Sequence, residues 1–216
     1  MSKGTIAVVE LGRMAYAPAL DVQRDIHSKR ITGQTSDTLL FVEHDPVLTL
    51  GRNSNEDNII TSRDALASAG VRVFQAERGG DVTYHGPGQQ VGYPIVNIRE
   101  LGLSVHDYVR KLEETMIVAL ADFGVEAHCV PGLTGVFVDD AKIVALGIAV
   151  RRWVTFHGFA FNVDPDLSHF NLIVPCGIRD HPVTSLAKCL GREVTLAELR
   201  VPLLKAFLQV FELILL

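Results

Sequence analysis

Cysteine is scarce in this chain, and what there is does not pair. Cys129, Cys176 and Cys189 form an odd set without close spacing, which excludes a disulfide framework and fits a reducing, cytoplasmic setting with at least one free thiol. Short ligand pairs of the kind that hold structural zinc are missing too. The eight histidines and three cysteines are scattered, so no metal or other cofactor is expected. Positive charge is in deficit: 20 Lys and Arg against 25 Asp and Glu leave a formal charge of −5, which argues against a general nucleic-acid binder. Arg151-Arg152 is the one obvious basic patch, suited to docking an acidic partner near the site. No apolar run reaches membrane-spanning length, the run near the N-terminus is too short for a secretory signal, and the ending Glu212-Leu-Ile-Leu-Leu216 reads as a packed helix end. Repeats, low-complexity tracts and linkers are absent.

What remains is a chain that is 48% apolar, ample for one core. The expected organisation is a single catalytic domain over residues 1–216, with about 175–216 as a candidate smaller C-terminal subdomain. The hydrophobic period changes repeatedly along it. Residues 5–11 read as a strand and 18–30 as a helix with Pro18 in its first turn and Gly33 as its stop. Residues 38–43 and 47–50 read as two strands paired across His44-Asp45-Pro46. Helices are predicted over 63–69 and over 105–123, the latter behind Ser104 as N-cap. Four strands of a meander follow at 125–130, 134–138, 142–151 and 153–163. A last helix runs over 196–213 behind Thr195, with Pro202 as an irregularity. This order predicts an α+β fold with a central sheet covered by helices.

The most informative stretch is RGGDVTYHGPGQQ at 78–90. Four glycines and a proline surround polar side chains, and glycine lets backbone approach a ligand without a Cβ in the way. With β-rich runs at 71–75 and 91–98 on either side, it reads as a loop joining two strands at a cleft.

Three residues outside this loop can carry chemistry. Cys176 sits in the tight turn Pro175-Cys-Gly-Ile178, a plausible nucleophile elbow, whereas Cys129 in a strand pattern and Cys189 in a helical one read as inert. Lys142 opens the apolar strand 142–150. His157 is followed by a glycine that gives access to the backbone. None of them establishes a function alone.

Together they resemble a known family. RGGDVTYHGPGQQVGYP at 78–94, KIVALG at 142–147, HGFAFN at 157–162 and PCGI at 175–178 occur in the order seen in octanoyl-(acyl carrier protein):protein N-octanoyltransferases, the lipoyl(octanoyl) transferases of lipoate biosynthesis. The resemblance extends to EHDP at 43–46, TLGR at 49–52 and VTSL at 183–186. It implies a fold similar to the catalytic domain of biotin and lipoate protein ligases, a central mixed sheet flanked by helices with a small C-terminal subdomain. It also implies Cys176 as nucleophile with Lys142 as its partner. Substrate contacts are implied at Arg78, Gly79, Gly80, Asp81, Val82, Thr83, Tyr84 and His85, at Ala145, Leu146 and Gly147, and at His157, Gly158, Phe159 and Ala160. Phe161 and Ala145 depart from the residues common there, which bears on acyl-chain preference.

The implied donor is octanoyl-acyl carrier protein, and the implied acceptors are lysines of lipoyl domains and of glycine-cleavage H protein. Such a reaction needs no ATP, because a thioester converts downhill to an amide. Cysteine suits it, being both nucleophile and leaving group. A free thiol titrates near ~8.5, so a neighbouring lysine cation is needed to favour the thiolate. Backbone N–H groups at Cys176-Gly177 or along 145–147 are the candidates to receive the oxyanion. Competing readings are an amidotransferase moving an octanoyl or lipoyl group between proteins, an ATP-dependent lipoate or biotin ligase, and a non-catalytic lipid- or partner-binding module.

Overall fold

The computed structural model describes residues 4–175 and 181–216. Along the chain run β1 (Thr5–Met14), α1 (Tyr16–Ile31), β2 (Asp37–His44), β3 (Val47–Leu50), α2 (Arg63–Ser68), β4 (Arg72–Gln75), β5 (Val82–His85) and β6 (Gln89–Ile95). The second half adds α3 (Val105–Ala121), β7 (Val136–Val138), β8 (Ala141–Arg151), β9 (Val154–Asn162), α4 (Leu186–Leu190), α5 (Leu196–Val210) and β10 (Ile214–Leu215). The fold is α+β. A seven-stranded sheet has the order β10-β1-β2-β6-β9-β8-β7, parallel among β10, β1 and β2 and antiparallel across the rest.

The continuous apolar run of β2 is explained by cover on both faces. Leu39 and Phe41 pack with Tyr108, Leu112 and Met116 of α3 and with Leu203 and Phe207 of α5. Leu40 and Val42 point the other way, into a cluster with Ala19 of α1 and Val91, Tyr93 and Ala160 of the neighbouring strands. Each such fully buried side chain contributes about 1.5–3 kcal/mol. Both long helices of the first face begin with capping boxes, Ser104 with Asp107 and Thr195 with Glu198, which satisfy otherwise orphaned N–H donors. Pro202 lies inside α5 without ending it.

A separate three-stranded sheet, β4-β3-β5, corrects two sequence expectations. β2 and β3 are not a hairpin, because both edges of β2 are taken, by β1 and by β6, and the chain changes sheets across His44-Asp45-Pro46. The glycine-rich stretch 78–90 is not all loop either: Val82–His85 form β5, antiparallel to β3. A third correction concerns residues 125–130, where the expected strand reduces to one isolated bridge between His128 and Phe137. The small sheet lies against the upper half of β8, where the amide of Gly79 donates to the carbonyl of Ile148 at 2.8 Å.

Candidate active site

Between the two sheets lies a cavity with about 470 Å³ of empty space, its open mouth included. Strand alternation decides which residues of the 78–85 stretch line it. Thr83 and His85 of β5 face the cavity together with Arg78, Gly80 and Asp81. Val82 and Tyr84 point the opposite way and pack with Leu48 and Leu66, and Gly79 serves as the link to Ile148. The opposite wall is the β8–β9 pair. Ala145, Leu146 and Gly147 lie beside Ala160, Phe159 and Gly158 in register, and all six line the cavity with His157.

Gly147 and Gly158, paired across the ladder, are glycines for reasons of space. A Cβ at Gly147 would stand 2.8 Å from Cδ of Arg78, and one at Gly158 would stand 2.2 Å from the carbonyl oxygen of Gly92. Arg78 itself is buried and braces the glycine-rich segment. Its guanidinium donates to the carbonyls of Gly79 at 3.1 Å and Asp81 at 2.8 Å and to Thr49 Oγ1 at 2.8 Å. The carboxylate of Asp81 in turn accepts from the amides of Val82 at 2.7 Å and Asn55 at 3.2 Å. Preorganisation of this loop comes from that network.

One end of the cavity is polar and buried. The ring of Tyr16, from the start of α1, stacks on His85 with centroids 6.5 Å apart and meets His44 edge-on at 5.4 Å. His44 Nε2 and the Tyr93 hydroxyl are 2.7 Å apart. Burial, reinforced by His44 and Arg78, holds His85 well below the usual imidazole range, and burial with Arg78 pushes His157 down to about 4. Both are neutral at pH 7. Burial likewise lowers His44 and raises Tyr16 to about 12. Tyr16 and Tyr93, which line the cavity, and His44, which backs both of them, are residues that sequence reading did not place at the site. The two tyrosines carried only the signal of a polar tip inside an apolar run, which many core tyrosines share, and His44 carried only its place in EHDP.

A second cavity of about 290 Å³ adjoins the first and shares Thr83, Ala145 and Ala160 with it. Lys142 lines this chamber although it belongs to an apolar strand. The cause is a β-bulge: Val136 pairs with Val144 but Phe137 pairs with Lys142, so Ile143 is one residue extra. Ile143 and Val144 both face the apolar core, and the phase before them is inverted. Strict alternation would have buried Lys142 beside Val144 in that core. The bulge instead aims it to the side of Ala145, a recurrent use of bulges near sites. Its Nζ donates to the carbonyl of Thr134 at 3.0 Å and lies 5.1 Å from the Phe137 ring centroid.

Cys176 lies outside the described residues. The chain on either side of it is held at this chamber: Pro175 and Val183 line it with Lys142. The Lys142 amide donates to the carbonyl of Pro182 at 2.8 Å, and its carbonyl accepts from Thr184 at 3.0 Å. Of the other thiols, Cys129 is half-buried and raised by burial and by Glu113. Cys189 is exposed, with Sγ 3.8 Å from Thr184 Oγ1.

Arg151 and Arg152 are not beside Lys142. They sit at the β8–β9 turn, nine residues along β8, roughly 30 Å of strand away, and line a separate groove with Arg24 and Glu77. Adjacency in sequence misled here because an extended strand carries the chain away from the site. Among the described residues no helix is long and apolar enough to cross a membrane.

Comparison with known proteins bears on this arrangement. Residues 15–208 match the family model of the lipoyl protein ligase A/B catalytic domain. The chain is 48% identical over 203 residues to an octanoyltransferase of Solibacter usitatus, covering 94% of this chain and 91% of that one. It is 49% identical over 212 residues to an octanoyltransferase of Chloroflexus aurantiacus, covering 97% and 95%. Among solved structures, lipoate-protein ligase A bound with ATP superposes with a TM-score of 0.76 at 15% identity, over 100% of this chain and 88% of that one. Biotin protein ligase from Aquifex aeolicus superposes with a TM-score of 0.60 at 12% identity, over 95% and 70%.

Proposed function

Starting from a chain that belongs to the lipoyl protein ligase A/B catalytic-domain family, and within it to the octanoyltransferases, we propose that it carries an octanoyl group from acyl carrier protein to a lysine of a lipoyl domain or glycine-cleavage H protein, through a thioester on Cys176. The observation that carries the mechanistic part is the inverted phase of β8. It turns Lys142 out of the apolar core into a chamber walled by Pro175, the residue before Cys176, and adjoining the larger cavity.

In the first half-reaction the Cys176 thiolate attacks the thioester carbonyl, the C–S bond to the carrier breaks, and the carrier leaves as a thiol, taking its proton from the Lys142 ammonium and leaving that amine neutral for the second half. The Lys142 ammonium stabilises the thiolate before attack. In the second, the acceptor lysine amine attacks the acyl-enzyme, its proton passes to Lys142, and the Cys176 sulfur leaves. The cavity walls from Ala145 to Gly147 and from Gly158 to Ala160 accept the chain. Its seven carbons beyond the carbonyl, at ~0.8 kcal/mol each, contribute roughly 5 kcal/mol of binding. The setting is the cytoplasm, with no cofactor and no ATP.

Intact-mass spectrometry after mixing with octanoyl-carrier protein tests this reading. An octanoyl adduct is expected on the native protein without ATP, and on Cys129→Ala and Cys189→Ala. It should be absent from Cys176→Ala, together with product. Normal turnover by Cys176→Ala, or transfer that requires ATP, would falsify it.

A further inference from the structure

The histidine at the far end of the larger cavity has no part in the transfer steps. His157 is 2% exposed and lines the cavity, and its Nε2 is buried without a hydrogen-bond partner among the described residues. Its backbone has φ 58° within strand β9, a left-handed conformation that costs ~1–2 kcal/mol outside glycine. The Gln23 side chain on α1 holds it there, Oε1 accepting the His157 amide at 3.1 Å. A strained backbone pinned by a buried side chain, presenting an unpaired polar atom at a cavity wall, is the usual construction of a ligand contact.

Its place along the ladder fits the end of an acyl chain. His157 pairs with Ile148, six residues from Lys142, so the two Cα positions are roughly 20 Å apart along the strand. An acyl chain of eight carbons, extended at about 3.6 Å per three bonds, spans roughly 8–9 Å. The two chambers meet at Ala145, three residues and roughly 10 Å of strand before Ile148, so an acyl group whose carbonyl sits at that junction has its tail in the His157 half of the cavity. Neutral imidazole offers one N–H and one lone pair, so it matches a hydroxyl as donor or acceptor.

We propose that His157 forms a tail-recognition subsite, and that the enzyme accepts medium-chain acyl groups bearing a terminal hydroxyl as well as plain saturated chains. This rests on the acyl-transfer reading above. A hydroxyl brought into the cavity loses its water, and only a polar partner at the tail position compensates for that.

The test uses four pantetheine thioesters: octanoyl, decanoyl, 8-hydroxyoctanoyl and 10-hydroxydecanoyl. The ratio of kcat/KM for the hydroxylated donor to that for the plain donor of equal length is measured in the native enzyme, in His157→Leu and in His157→Asn. Asn tolerates positive φ and keeps a polar tip. Because each ratio is internal to one protein, loss of folded enzyme cancels. The native ratio is expected within about tenfold of unity at one of the two lengths, falling at least tenfold further in His157→Leu and recovering in some measure in His157→Asn. An equal ratio in the native enzyme and His157→Leu overturns the subsite, as does native discrimination beyond a hundredfold against both hydroxylated donors. If the native enzyme transfers none of the four, the acyl-transfer reading itself falls.

Discussion

At the scale of single residues, the role proposed for Lys142 combines two duties that are easily conflated. A cation beside the thiol favours the thiolate, whereas accepting a proton from the incoming amine requires a group that can give its own proton up. Arginine keeps the first and lacks the second. Lys142→Arg is therefore expected to form octanoyl-Cys176 in a single-turnover burst but to pass it to the acceptor at least a hundredfold more slowly, the scale of one acid–base contribution. Quenched-flow mass spectrometry with and without acceptor distinguishes the steps. Near-normal acceptor transfer by Lys142→Arg would remove the base role. Lys142 and Cys176 were legible in the sequence as candidates through the family resemblance, not through residue type alone. Tyr16, His44 and Tyr93 were not. They come from α1, β2 and β6, separated by tens of residues, and only the packing of α1 over the sheet brings their rings together.

At the scale of elements, strands and helices with a clear period were read nearly to their ends. The exception is the packed helix end expected at 212–216, which is instead the exposed edge strand β10, because α5 stops at Val210. Ser104 and Thr195 begin helices as their capping boxes require. Pairing was less legible than existence. The run at 47–50 is a strand, but whether β2 had a free edge to receive it depends on β1 and β6, which the local pattern does not contain. The bulge at Ile143 was likewise hidden, since KIVALG reads as a uniform apolar strand and the displaced phase appears only against Val136 and Phe137.

The glycines of this region allow a sharper check. At Gly158 an added Cβ meets backbone, 2.2 Å from the Gly92 oxygen, which cannot yield without moving β6; at Gly79 the nearest obstacle is the Ile148 oxygen at 3.6 Å, an ordinary contact. Gly158→Ala is expected to lower unfolding stability by about 2–3 kcal/mol and Gly79→Ala by less than about 1 kcal/mol, read from denaturant midpoints at constant slope. Equal effects would contradict the close approach of β9 to β6.

At the scale of the whole molecule, the buried histidines tie stability to acidity. His27, His44, His85 and His157 all have folded-state affinities for a proton below that of a free imidazole, chiefly through burial. For a group depressed on folding, the unfolded chain takes up the proton first. Stability is thus full above pH ~6.5 and falls as the pH drops through the folded value. With His157 at about 4, that residue alone accounts for about 3 kcal/mol lost between pH 6.5 and 4. Urea unfolding over this range should show a steep decline, and His157→Asn should flatten it. A slope unchanged by that substitution would place the acid sensitivity elsewhere.

The two sheets that enclose the cavity share no strand. Widening the space between them therefore disrupts no ladder of either sheet. Apart from side-chain packing, what resists among the described residues includes the bonds from Gly79 to the Ile148 carbonyl, from Gln89 Nε2 to the Tyr84 carbonyl and from Arg24 to Glu77. Such a joint works like a clasped book: its pages stay flat and bound while the gap between the covers opens. Room for a ligand between the sheets is therefore gained by parting two intact sheets rather than by unravelling either one.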